Sequence, residues 1–221
     1  MSTIVSSLQS IKAQLPEDVT LVAVSKTKPS SDILEAYATG QRDFGENKIQ
    51  EMTSKWEELP KDINWHMIGH VQTNKVKYMA PFVHLIHAVD SFKLLKEINK
   101  QAKKNNRSIN CLIQIKIAEE DSKFGLSTED AVQLILSPEV SQLSNINIRG
   151  LMGMATFTDD EKQLRSEFKI IKSAFDELKN KIEGFNTLSI GMSGDYQIAI
   201  QEGGTMVRIG SSIFGERNYQ H

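Results

Sequence analysis

The chain has 221 residues, 39% of them hydrophobic and 24% charged, with a formal net charge of -2 and a single cysteine, Cys111. These values fit a soluble globular chain of one large domain or two small ones. They exclude a disulfide framework, a cysteine-rich metal site and a molecule-wide basic footprint for nucleic acid. With no apolar run long enough for a bilayer, they make the reducing cytoplasm the expected compartment.

No basic-then-apolar signal pattern opens the chain. Ile4, Val5, Leu8, Ile11 and Leu15 recur at helical spacing and predict an amphipathic helix ending at Pro16. Strand-like and helix-like stretches then alternate. Val19 to Val24 is the first strand, followed by a helix from the cap candidates Ser30 to Asp32 to Gly40. Asp43 to Gly45 is a short second strand, and Ile49, Met52, Trp56 and Leu59 mark a helix closed by Pro60. Asn64 to Ile68 is the third strand and Thr73 to Met79 a short helix. Val83 to Ala88 is the fourth strand, with Asp90 or Ser91 capping the helix of Phe92, Leu95, Ile98 and Ala102. Ile109 to Ile117 is the fifth strand, in which Cys111 reads as a small buried hydrophobe. After the loop 118–125, Ser127-Thr128-Glu129-Asp130 starts a helix over Ala131 to Leu136. Ile146 to Met152 is the sixth strand. Leu164, Phe168, Ile171, Phe175, Leu178 and Ile182 form one helical apolar stripe. Thr187 to Ile190 and Met206 to Ile209 are the last strands, with a short helix from Tyr196 between them. The basic stretch 100–107 reads as a solvated helix end.

Eight strands alternating with helices predict parallel pairing through right-handed crossovers. At this length a closed barrel, a single α/β (β/α)8 TIM barrel over 1–221 with an extra N-terminal helix, fits better than an open doubly wound sheet.

Such barrels place their sites at the carboxyl ends of the strands. The buried run Leu21 to Val24 leads into Lys26 and Lys28. Alternation along the strand would put Lys26 on the face of Val22 and Val24. Desolvation there would free its amine for imine chemistry; a plain surface lysine is the competing reading. The loops after strands seven and eight carry Gly191, Ser193 and Gly194, then Gly210 and Ser211. Glycines admit a close anion, hydroxyls donate to it, and this is where barrels of this kind bind phosphate. The combination points to a phosphorylated aldehyde held as an imine. His66 and His70 do not share a helical face, so no metal site is expected from them. His84 and His87 read as structural histidines.

The motifs Val24-Ser25-Lys26-Thr27-Lys28, Phe44-Gly45-Glu46-Asn47 and Trp65 through Lys75 resemble the pyridoxal-phosphate homeostasis proteins (YggS/PROSC family). So do Asp121-Ser122-Lys123, Gly150-Leu151-Met152, Leu188 through Asp195 and Val207 through Gly215. The resemblance implies a fold like the alanine racemase N-terminal domain, with pyridoxal 5'-phosphate (PLP) as a Schiff base on Lys26. It also implies phosphate contacts from Ser193, Gly194, Gly210 and Ser211, Arg208 facing the pyridine nitrogen, and Asn47 near the ring. Lys48 and Phe124 depart from the family's usual residues without touching that set.

The reading that follows is a PLP-binding protein of vitamin B6 homeostasis or cofactor delivery, without a dedicated catalytic residue. Apo PLP-dependent enzymes would be its partners, with no nucleic acid or membrane involved, and the expected state is a monomer. The alternative is a PLP-dependent racemase or decarboxylase. That would need a second acid/base from Lys28, His66 or elsewhere, and the chain stops soon after the eighth strand. An imine-forming aldolase is a third reading, but it typically carries its lysine on a later strand.

Overall fold

Apolar β-branched runs extend and amphipathic stretches coil around them. In the computed structural model, which describes residues 2–119 and 124–216, the order is α1 (Thr3–Lys12), β1 (Thr20–Val24), α2 (Ser30–Ala38), β2 (Asp43–Glu46), α3 (Ile49–Glu58) and β3 (Asn64–Met67). A 3-10 turn (Thr73–Lys75) leads to α4 (Val76–Met79), β4 (Leu85–Val89), α5 (Phe92–Lys104) and β5 (Ile109–Ile115). Then come α6 (Thr128–Ile135), α7 (Pro138–Ser141), β6 (Ile146–Gly153), α8 (Glu161–Lys179), β7 (Thr187–Ser189), α9 (Tyr196–Gln201), β8 (Met206–Ile209) and α10 (Ser211–Phe214). The Asp121-Ser122-Lys123 motif and the tail from 217 lie outside the described residues.

The strands pair in parallel in chain order and close, β8 returning to β1. Helix starts follow local chemistry. Ser91, Ser127 and Ser137 each accept a backbone N–H three residues on, and Asp160 accepts from Lys162 and Gln163. One close approach is set by a glycine: at Gly150 (φ +155°) a Cβ would lie 1.7 Å from the Thr187 carbonyl oxygen, so only glycine lets β6 reach β7.

Two cores result. Outward strand residues such as Ala23, Phe44, Trp65 and Ile113 pack under the helices with Met52, Ile98 and Phe168. Inside the barrel, Val22, Leu85, Ala88, Leu112, Met152 and Met206 form a separate plug. Such a filled interior is a packed core rather than a pore.

The architecture is the expected one; several boundaries differ. β1 starts at Thr20 rather than Val19 and ends at Val24 as expected, so alternation does not run on to Lys26. β4 starts two residues later and ends one later than expected, β5 ends at Ile115 and α8 at Lys179, and α7 was not foreseen. Among the described residues no helix is long and apolar enough to cross a membrane.

Candidate functional site

The carboxyl ends of the strands open into a cleft of about 480 Å³, within the size range of small-molecule sites. Lys26, Asn47, Ser193, Arg208, Gly210 and Ser211 all line it. Gly194 lines an adjoining hollow with Thr158 and Asp195 instead.

Lys26 does not reach the cleft by strand alternation. It sits in the turn after β1, where Thr27 takes a left-handed backbone (φ +65°), and a network between β2 and α3 clamps both its neighbours. The Ser25 hydroxyl donates to Glu46 Oε1 (2.6 Å). The Lys55 ammonium donates to the Ser25 carbonyl (2.8 Å), to Glu46 Oε1 (2.7 Å) and to Glu51 Oε1 (2.7 Å). Glu51 Oε1 also accepts the Thr27 N–H (2.6 Å). Glu46 is fully buried. Desolvation pushes its carboxyl up to about 7, outweighing the pull of Lys55 and Ser25.

The two glycine-serine loops are tied to each other: the Gly210 N–H donates to Ser193 Oγ (3.2 Å). An amide expected to face an anion is thus spent on holding the loops together. α10 then starts at Ser211, placing the amides of Ser211 and Ser212 ahead of the intrahelical ladder. Lys28 anchors the other end of α10, its ammonium donating to the carbonyls of Phe214 (2.7 Å) and Glu216 (3.0 Å). Asn47 is seated on Gly69, where a Cβ would lie 2.4 Å from the Asn47 carbonyl oxygen.

Arg208 forms the floor. Its guanidinium donates to the Ser189 carbonyl (2.8 Å) and hydroxyl (2.7 Å) and to the Gly153 carbonyl (3.0 Å). Burial lowers it to about 10, opposed by Asp195, so it remains a cation at neutral pH.

His66, one of the groups the racemase alternative would need as a second acid/base, lies within the barrel, 1% exposed and hydrogen-bonded to His87 and Asp43. Its side chain is on the inner face but below the opening, because it precedes the strand's end. Asp43, His66 and His84 bring ligand atoms within 4.8 Å of one another, but His66 and Asp43 already pair at 3.0 Å. The aromatic rim escaped the sequence reading. His70 stacks on Phe124 (4.6 Å between centroids), and Phe157, 94% exposed, lines the same cleft; loop residues carry no periodic signal. Cys111 is buried, and burial pushes its thiol up, as a small hydrophobe requires.

A closed parallel barrel with a lysine after its first strand and glycine-serine loops after its last two, all lining one cleft, is the architecture of the alanine racemase barrel domain. The family model described as alanine racemase, N-terminal domain, matches residues 1–218. Alanine racemase of Clostridium difficile 630 shares the fold, with a TM-score of 0.80 at 16% identity over 99% of this chain and 61% of that one. Relatives at higher identity narrow the class. A pyridoxal phosphate homeostasis protein of Vibrio alginolyticus is 38% identical over 99% of this chain and all of its own length. One of Aquifex aeolicus is 39% identical over 90% and 87%. PipY of Synechococcus elongatus matches at TM-score 0.90 and 36% identity without PLP. With PLP bound it matches at 0.87 and 35%, both covering 96% of this chain and all of PipY. The chain belongs to the pyridoxal phosphate homeostasis protein family.

Proposed function

We propose that this protein binds PLP as a Schiff base on Lys26 and serves intracellular PLP homeostasis or delivery to apo PLP-dependent enzymes, as a monomer, rather than running a reaction of its own. One observation carries the reading: Lys26, the Ser193 and Gly210–Ser211 loops and the buried Arg208 cation line a single cleft. The donor set fits the group. An amine answers an aldehyde, hydroxyls and first-turn amides answer a phosphate, and a donor-only guanidinium answers a ring nitrogen that must accept. Gly194 borders the phosphate loop from the adjoining hollow, and Asn47 would lie beside the ring.

When bound, PLP supplies an electrophilic aldehyde conjugated to an electron-withdrawing ring. The protein's residues restrain rather than exploit that ring. A permanent cation at Arg208 disfavours protonation of the ring nitrogen and so weakens the ring as an electron sink. The two residues the racemase alternative would need as a second acid/base have other partners: Lys28, on the cleft wall, binds the end of α10, and His66 lies inside the barrel. The names of the relatives point the same way, to homeostasis rather than turnover.

The test is an absorption spectrum. Protein mixed with PLP should develop the visible band of a protonated Schiff base, and Lys26→Ala should abolish it. A wild type without the band would remove the cofactor assignment; robust amino-acid racemisation lost in Lys26→Ala would favour the enzyme reading.

A further inference from the structure

A chain of buried hydrogen bonds crosses the barrel interior beneath the cleft. Asp43 opens β2 at the amino end of the barrel, partly exposed. Its Oδ1 lies 3.0 Å from His66 Nε2 on β3. His66 Nδ1 is 2.9 Å from His87 Nε2 on β4, and His87 Nδ1 is 3.0 Å from the Ser189 hydroxyl on β7. Ser189 accepts from Arg208 at 2.7 Å. The three middle residues are at most 1% exposed.

With both imidazoles neutral, the carboxylate at one end fixes the direction of every proton. A guanidinium only donates and a carboxylate only accepts. Ser189 Oγ takes the Arg208 N–H, which leaves its own proton available to His87 Nδ1. Neutral His66, giving its Nε2 proton to Asp43, accepts on Nδ1, so His87, held neutral by burial, carries its proton on Nε2 and accepts from Ser189 on Nδ1. Every donor meets an acceptor in one arrangement. Losing the carboxylate frees both imidazoles to swap tautomers, and a His87 that donates leaves the Ser189 proton without its partner.

The geometry points to Asp43, His66 and His87 as positioning residues that lock the Ser189 hydroxyl, and through it the Arg208 guanidinium, against the ring of the cofactor. This rests on the PLP reading. It adds that the floor of the site is set from the opposite end of the barrel, by residues that never touch the ligand.

Two measurements test it. In the apo protein, nitrogen-15 correlation spectra of the histidine side chains, five in the whole sequence, should show His66 and His87 both protonated on Nε2; a His87 protonated on Nδ1 overturns the proposal. In the PLP-loaded protein, Asp43→Ala should weaken PLP binding about tenfold, the scale of a lost hydrogen bond to a charged group, and shift the visible absorption maximum. Asp43→Asn, whose amide oxygen still accepts from His66, should restore both. A folded Asp43→Ala protein with wild-type spectrum and affinity overturns the inference while leaving PLP binding intact. A wild type that takes up no PLP removes the cofactor reading and the inference together, and the two failures are thereby told apart.

Discussion

Glu46 is the residue whose ionisation should be most visible in the stability of this protein. It is fully buried between β2 and α3, its Oε2 meets no partner among the described residues, and desolvation raises it from 4.5 to about 7. A displacement of that size corresponds to about 3 kcal/mol of preference for the protonated form in the folded state. The sign follows from proton binding. The folded state holds this proton more tightly than the unfolded chain, so the stabilisation is complete below about 4.5. It drains away as pH rises, and is gone above about 7. Glu46→Gln keeps the shape and the contact with Ser25 and cannot ionise. Urea unfolding of both proteins at pH 5, 6, 7 and 8, followed by circular dichroism, isolates the effect, because every other titrating group is common to the pair. The wild type should lose stability relative to the glutamine variant as pH rises, by about 2.5 kcal/mol between pH 5 and pH 8. Parallel pH profiles would refute the reasoning. A wild type that instead gains on the variant as pH rises would show that Lys55 wins over desolvation and that Glu46 is an ordinary buried ion pair.

Two further outcomes bear on the cleft. Gly69→Ala sets a methyl group 2.4 Å from the Asn47 carbonyl oxygen. The Asn47 backbone must move, at a cost of about 1–3 kcal/mol in stability, with weaker PLP binding in fluorescence titrations; unchanged thermal midpoint and affinity would show that the loop yields freely. Lys28→Met removes the ammonium that holds the Phe214 and Glu216 carbonyls. PLP release, timed by transfer to an excess of apo-enzyme, should then quicken about tenfold, on the scale of a charged hydrogen bond. The visible band should persist, since Lys26 is untouched; loss of the band would mean that Lys28 belongs to the linkage itself.

The barrel was legible because its signals are local. Alternating apolar runs, serine caps and the long stripe of α8 need no knowledge of the rest of the chain. The cleft was legible because Lys26, Ser193 and Ser211 follow strands whose carboxyl ends the fold gathers together. The route of Lys26 was not. Extrapolating alternation past Val24 reached the right cleft through the wrong geometry. What aims the residue is Thr27 in a left-handed turn, clamped by Glu51 from the next helix. The interior chain was invisible for a deeper reason. His66 meets His87 only through the register of β3 on β4, and His87 meets Ser189 across the barrel from β7. Sequence reading had taken both histidines one at a time.

Two buried polar networks thus bear on the cleft from different sides. Outside the sheet, Glu46, Lys55 and Glu51 hold the turn that carries Lys26. Inside it, the chain from Asp43 ends on Arg208. Stability does not account for either. Burying such groups costs several kcal/mol per ion, and well-packed apolar residues of the same volume are often at least as stable. The barrel shows that the apolar solution fits here, since Val22, Leu112 and Met152 fill the neighbouring interior positions without a polar atom to satisfy. What hydrophobic packing cannot do is fix the direction of a donor. On the proposed reading the lysine amine and the guanidinium each need a defined orientation toward the same small ligand, and the hydrogen bonds at Ser25 and Thr27 on one side and at Ser189 on the other would supply it. The polar networks lie where that requirement lies, under the first strand's turn and under the eighth strand's arginine, and the apolar plug fills the space between.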